Sequence, residues 1–342
     1  MAGTPRRQGR SQAMLTVAIV GTGWWGKELA KAAVSLPGTI ELAGCFSLSD
    51  KECAEFRSAF GGKIYSSYDE VLADPGIGAV MLATPHSTHW EQIVRAAKAK
   101  KHVFCEKPLT LTVETGSKAI QACENAGVVL AVGHNRRYLP GARKMKSIVD
   151  AGELGKVLHV EASYAGNAAF SRPPTHWRSK REEMPCGGLA PMALHVVDTL
   201  TWILGPIQRV CCIAKRQVSP VDIDDTCASL FEMKSGATGF LSSLMAGPMA
   251  SRLRICGAKG ALEARNNWSE LTWTPLDSSQ PQASFIYTGD DSLQQELAAL
   301  ERAAAGKTPY PVRPEEALRN VAVMEAMLKS SVAGGVWTGV AA

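Results

Sequence analysis

Through the first 135 residues, short unbroken apolar runs alternate with stretches whose apolar positions recur at three- and four-residue spacing. The runs are LTVAIVG (15–21), IELAGCF (40–46), AVMLATP (79–85), HVFCEKP (102–108) and VVLAVGHN (128–135). Apolar segments of this length, closed by glycine or proline, predict buried strands. Between them WGKELAKAAVSL (25–36), KECAEFRSAFG (51–61), HWEQIVRAAKAK (89–100) and VETGSKAIQACENAG (113–127) predict helices. Such alternation predicts an α/β domain over 14–135, a doubly wound parallel sheet with ligands at the carboxyl ends of its strands.

After about residue 140 the pattern changes. KVLHVEASYAG, IQRVCCIAKRQV, DTCASLFEMK, ATGFLSSLMAG, RLRICGAKG and ALEARNN are short, partly alternating and separated by glycine or polar turns. They predict antiparallel strands, interrupted by a helix near 190–204 and followed by helices near 291–304 and 314–331. Residues 136–342 are therefore expected to form an α+β domain with a large, open, mostly antiparallel sheet. Its exposed face would cover the substrate cleft or make a homodimer or homotetramer.

A length of 342 residues agrees with two domains. The net charge of +5 includes Arg6, Arg7 and Arg10, which leaves too little for a nucleic-acid footprint. No run of 18 apolar residues predicts a membrane span. The Arg6-Arg7 pair lacks a separate apolar export segment after it, so residues 1–13 are expected to be a flexible tail and the location cytoplasmic. Nine cysteines without a CxxC spacing fit reduced thiols and no zinc site. Cys186 alone lies near the candidate chemistry, and is read as a bystander.

The strongest local signal is VAIVGTGWWGKELA, in which Gly21, Gly23 and Gly26 form G-x-G-x-x-G between a strand and a helix. The first glycine allows the tight turn, the second a close backbone approach to a diphosphate, and the third helix-on-strand packing. The helix N-terminus then offers free amides to the phosphates. Thr22, Trp24 and Trp25 belong to the same expected cofactor site of this Rossmann domain. Cofactor choice should be made after the second strand, where Ser47, Ser49 and Lys51, with Leu48 among them in the expected cofactor site, offer hydroxyls and one cation in place of a carboxylate. NADP is therefore the expected cofactor, with NAD the second choice.

LATPHSTH (82–89) and HVFCEKP (102–108) each leave a strand's carboxyl end. With the glycine motif and GHNRR (133–137), their order and spacing resemble the Gfo/Idh/MocA family of sugar, polyol and related dehydrogenases. The resemblance implies that Ala83, Thr84, Pro85 and His89 line the cofactor and that Glu106 lies near the nicotinamide ribose. It implies Lys107 at the reacting carbon, held by a cis bond to Pro108, and Asn135 by the nicotinamide. Trp177 and Arg178 would close over it, and His195 would be the acid/base residue. Lys107, Asn135, Arg136, His176, Arg178 and His195 are the expected substrate contacts. The residue chemistry is consistent with these roles, since hydride transfer from a carbinol needs a proton acceptor and a cation beside the developing alkoxide. No metal is expected; His86 and His89 form HxxH, but have no third ligand nearby in sequence.

One departure stands out. The family pattern Asp-x-Gly-x-His-x-x-Asp is here Pro191, Ala193, His195 and Asp198. Pro191 cannot orient the imidazole, and is expected to begin the helix. Asp198 or Thr199 is then the candidate neighbour of His195. Loss of the first aspartate predicts a substrate with fewer hydroxyls than inositol. Two other functions remain open: a dinucleotide-binding regulator without turnover, and an enzyme cycling a tightly bound nicotinamide through elimination or hydrolysis.

Overall fold

The structure, a computed structural model, describes residues 14–341, so the expected tail (1–13) lies outside the described residues. The first sheet holds β1 (Leu15–Val20), β2 (Ile40–Phe46), β3 (Lys63–Ile64), β4 (Ala79–Leu82), β5 (His102–Glu106) and β6 (Leu130–Gly133). All its pairs are parallel, in the order 3-2-1-4-5-6. The strand order reverses beside β1, which opens a crevice outside the strands' carboxyl ends. Around the sheet run α1 (Trp24–Val34), α2 (Asp50–Phe60), α3 (Tyr68–Ala73), α4 (His89–Lys98) and α5 (Val113–Ala126). Their spacing explains their burial. In α1, Gly26, Leu29, Ala30 and Ala33 fall on one face and are buried.

The second sheet has nine strands: β7 (Val157–Ala165), β8 (Ile207–Lys215), β9 (Thr226–Met233), β10 (Thr238–Leu244), β11 (Ala250–Gly257), β12 (Gly260–Arg265), β13 (Glu270–Pro275), β14 (Ala283–Ile286) and β15 (Thr338–Gly339). Their order is 14-13-12-11-7-10-9-8-15, antiparallel except for the β7–β10 pair. With it come α6 (Pro140–Asp150), α7 (Ala168–Ser171), α8 (Leu194–Leu204), α9 (Ser292–Ala304) and α10 (Pro314–Val332). Alternation sets the inner face. Cys227, Ser229, Phe231 and Met233 of β9 are buried, whereas Leu230 is exposed. Helix α10 joins the two halves, and its Glu325 accepts a hydrogen bond from the Val113 amide at the start of α5 (3.0 Å). Among the described residues no helix is long and apolar enough to cross a membrane.

Candidate active site

The glycine turn between β1 and α1 has the form its sequence requires. Gly21 sits at φ +94°, and a Cβ there would lie 2.5 Å from the Ala83 carbonyl oxygen. At Gly26 a Cβ would lie 2.0 Å from the Gly21 carbonyl oxygen. At Gly23 it would meet nothing within 4 Å, so the backbone is open to a ligand. No side chain caps α1, whose first amides remain free for an anion. Thr22 Oγ1 and Trp25 Nε1 are buried without partners, while Trp24 is largely exposed and tilts onto Trp25 (5.2 Å). These features fit a dinucleotide diphosphate.

At the end of β2, Ser47 donates to a carboxylate the sequence reading missed, Glu52, at 3.3 Å. Ser49 caps α2 through the Glu52 amide, which fixes Glu52 beside Ser47. Leu48 projects almost wholly into solvent and Lys51 is exposed. The sequence expectation of a carboxylate-free turn is therefore corrected: hydroxyl and acid meet there, with Lys51 exposed on the same turn.

Between the two sheets lies a cavity of about 390 Å³. The first half contributes Trp24, Trp25, Ala83, Thr84, Glu106 and Lys107; the second contributes Tyr164, Arg172, His176, Arg178, Met192 and His195. Lys107 follows β5, and its peptide to Pro108 is cis. Its ammonium donates to the Pro191 carbonyl. Burial lowers its pKa to about 7, against the pull of Glu106 and with help from Arg178, Arg136 and Arg172. Glu106 is pushed up by its own burial, partly offset by Lys107, and accepts from the Lys107 amide (3.3 Å).

His195 lies at the start of α8 and lines the cavity, with Nδ1 buried and unpartnered. Burial, then Lys107, Arg136 and His134, hold it well below the ordinary histidine range, so the ring is neutral. Three local expectations need correction. Pro191 does not begin the helix, but occupies a single π-type turn, Leu189–Ala193, ahead of it. Thr199 donates to the His195 backbone carbonyl (2.9 Å), and so leaves the ring alone. Asp198 is fully engaged elsewhere, by Arg137 (2.7 and 2.9 Å) and Asn320 (2.7 Å).

Other expected residues support the wall. Thr84 donates to Gln92 (2.6 Å), and Pro85 accepts from Thr88. His89 is completely buried, with Nδ1 2.9 Å from the Pro108 carbonyl and Nε2 3.2 Å from that of Thr84. It holds the β4 and β5 loops together and does not face the cavity, contrary to its expected place along the cofactor. Asn135 donates to Ser292 (3.0 Å), leaves Oδ1 unpartnered, and lines an adjoining cleft with Trp24, Trp25 and Arg136. His86, from the HxxH pair, sets Nδ1 2.8 Å from the Glu183 carbonyl and its edge on Trp177. Trp177 also stacks on His176, and Arg178 lies 4.1 Å over its ring. Arg172 and Glu52 had no motif to mark them. Cys186, Cys212 and Cys227, far apart in sequence, are all buried with sulfurs within 4.8 Å of one another, so Cys186 is less isolated than its sequence position implied.

A dinucleotide turn at the switch point, facing a lysine and a neutral histidine across a shared cavity, defines an oxidoreductase of the nicotinamide-using class. Comparison with known proteins agrees. Residues 15–134 match the family described as "Oxidoreductase family, NAD-binding Rossmann fold", and residues 142–263 match the GFO/IDH/MocA C-terminal domain. The chain belongs to the GFO/IDH/MocA oxidoreductases. It is 25% identical to 1,5-anhydro-D-fructose reductase of Ensifer adhaerens, over 92% of this chain and 96% of that one. It is 28% identical to myo-inositol 2-dehydrogenase of Thermotoga maritima, over 74% and 77%. Levoglucosan dehydrogenase in complex with NADH and levoglucosan shares the fold, with a TM-score of 0.88 at 22% identity over 96% and 100% of the two chains.

Proposed function

We propose that the protein moves hydride between a nicotinamide dinucleotide and a carbinol or carbonyl carbon of a small sugar, polyol or cyclic alcohol. The observation that carries this reading is the shared cavity, in which Lys107 and His195 meet the dinucleotide side of the molecule at Trp25, Thr84 and Glu106. The nicotinamide supplies the hydride acceptor when bound. Lys107, neutral in part near pH 7, takes the carbinol proton and returns it to the carbonyl oxygen in the reverse direction. The neutral His195 ring, which lines the same cavity, bonds the same oxygen and holds the carbon in line.

Ser47 and Lys51 support use of NADP, while Glu52 favours the free ribose hydroxyls of NAD. The reading is dual use with NADP preferred. Parallel fluorescence titrations with NADPH and NADH test it first, followed by turnover of a sugar and polyol panel by wild type and Lys107→Met. Binding of a dinucleotide with lysine-dependent turnover is the expected result. If neither dinucleotide binds and none is bound on purification, the dehydrogenase reading fails and a regulator replaces it.

A further inference from the structure

The cavity carries more fixed positive charge than its carboxylates balance. Arg136, Arg172 and Arg178 line it beside Lys107, and Glu106 is the one acid on its wall among the described residues. Arg136 reaches Asp290 at 3.7 Å, a partner half exposed to solvent. Arg172 and Arg178 make no ion pair among the described residues. Arg172 Nη1, Arg178 Nε and Arg136 Nε are buried and without hydrogen-bond partners. Guanidinium groups withdrawn from water without a counter-charge are costly, and such a cost persists where a ligand relieves it.

Nearby acids are committed elsewhere, apart from Glu296 beside Arg136, which burial pushes toward its neutral form and to which Tyr310 donates (3.1 Å). Asp198 holds Arg137, Asp224 holds Arg181 (2.7 Å), and Glu183 accepts from the hydroxyl and amide of Ser87. The histidines add no counter-charge. His86, His176 and His195 are all held below their ordinary range, chiefly by burial and then by neighbouring charges. Burial and then the charge of Arg172 pull Arg178 itself down to about 10. Position 191, proline in this chain, offers a backbone carbonyl to Lys107 and no carboxylate to repel an incoming anion.

We propose that the substrate is anionic: a small hydroxylated acid whose carboxylate or phosphate docks on Arg172 and Arg178, directing a carbinol carbon to Lys107 and His195. This inference rests on the dehydrogenase reading above. The planar guanidinium fork matches either oxyanion bidentately. In oxidation the carbinol C–H bond breaks with its electron pair passing to the nicotinamide, the hydroxyl proton passes to Lys107, and a keto acid remains. The acidic group takes no part in the chemistry. The dinucleotide diphosphate is the other anion that these arginines could serve, but the free amides of the glycine turn already meet it.

The test uses the full-length protein saturated with NADH, titrated calorimetrically with D-glucuronate, D-glucose 6-phosphate and D-glucose at low and high sodium chloride. At least one of the two acids binds tenfold or more tightly than glucose, and the advantage shrinks as salt rises. Whichever acid holds the advantage separates carboxylate from phosphate recognition. Arg172→Met removes that advantage and leaves the NADH Kd within twofold. Arg172→Lys, which keeps the charge and loses the fork, retains part of it. Inorganic sulfate competing with the acid on the wild type gives the same reading without any variant. Equal binding of acids and glucose overturns the proposal, as does a collapse of NADH affinity in Arg172→Met, which would assign the arginine to the cofactor. Anion binding without hydride transfer from any acid or neutral alcohol leaves the anion site standing and overturns the dehydrogenase reading. Turnover of neutral polyols with no anion preference does the reverse.

Discussion

Lys107 is the side chain whose proton the site controls most directly. With its pKa lowered to about 7 by burial, and the opposing pull of Glu106 outweighed, the amine is half neutral near pH 7. The neutral amine accepts a proton, so kcat/KM for oxidation should rise with pH through about 7, and kcat/KM for reduction should fall. His195 cannot supply that limb, because its own pKa is held well below the ordinary range. Lys107→Met is expected to lower kcat/KM by roughly 10²- to 10⁴-fold and flatten the profile, with NADH binding little changed. A limb near pH 7 that survives in Lys107→Met would assign the titration to another group. Glu52 gives a second residue-level test. Removing its charge in Glu52→Gln should move the ratio of NADPH to NADH affinity toward NADPH by about tenfold, or about 1.4 kcal/mol. An unchanged ratio would place cofactor choice away from the β2–α2 turn. The residues legible in the sequence were those tied to a strand end, such as Gly21, Thr84 and Lys107, together with His195, which the family pattern marked at the start of a helix. Glu52 and Arg172 were not legible, because the first acts through a helix cap and the second through a loop after β7, and neither leaves a spacing.

At the scale of elements, the junction between the sheets depends on one buried ionic cluster. Arg137 follows β6, Asp198 lies on α8, and Asn320 and Glu316 lie on α10. Burial alone would raise the Asp198 carboxyl, yet His134, Arg137 and Asn320 together hold it below the usual range. A depressed folded-state pKa means that its contribution to stability is present above the unfolded value of about 3.9 and is lost as pH falls through the folded value. Asp198→Asn leaves Arg137 and Glu316 in place without the central charge, and is expected to cost about 3–5 kcal/mol in urea denaturation near neutral pH. A cost below about 1 kcal/mol would mean that packing, not this cluster, holds α8 and α10. The strands of the first sheet were readable because short apolar runs alternate with helical periods, and four of the five runs are closed by glycine or proline. β3, with two residues, and α3, with six, are too short to show a period. α6 was missed because Pro140-Gly141 reads as a turn. Proline suits a helix's first turn, and a Cβ at position 141 would sit 1.9 Å from the Trp268 carbonyl oxygen. β13 and β14 are at the sheet's far edge, where partial exposure blurs the alternation.

The whole molecule leaves the outer face of the nine-stranded sheet without a cover of its own. Tyr164 points inward to the cavity, so the outer face is the opposite one, built from the alternate positions. Across it the register sets Leu230 opposite Cys211 and Phe240, and Phe240 opposite Glu161. Leu230 is 54% exposed, with Ile213 on the same face at 52%. Beside these apolar groups, Arg252 bonds Glu161 (2.8 Å) and Glu263 (3.1 Å), so charge is paired along the rest of the face. Exposed aliphatic and aromatic side chains bordered by fixed ion pairs are the composition of an interface core and its rim. A second copy meeting this face about a two-fold axis would cover both patches at once, with about 800 Å² buried on each partner. Sedimentation equilibrium should then give a multiple of 36.5 kDa at micromolar concentration. Leu230→Glu combined with Phe240→Glu should give the monomer mass and still bind NADH, because the cavity opens on the other side of the sheet. A wild-type monomer would leave these side chains as ordinary surface, and a double variant that stays oligomeric would move the interface elsewhere.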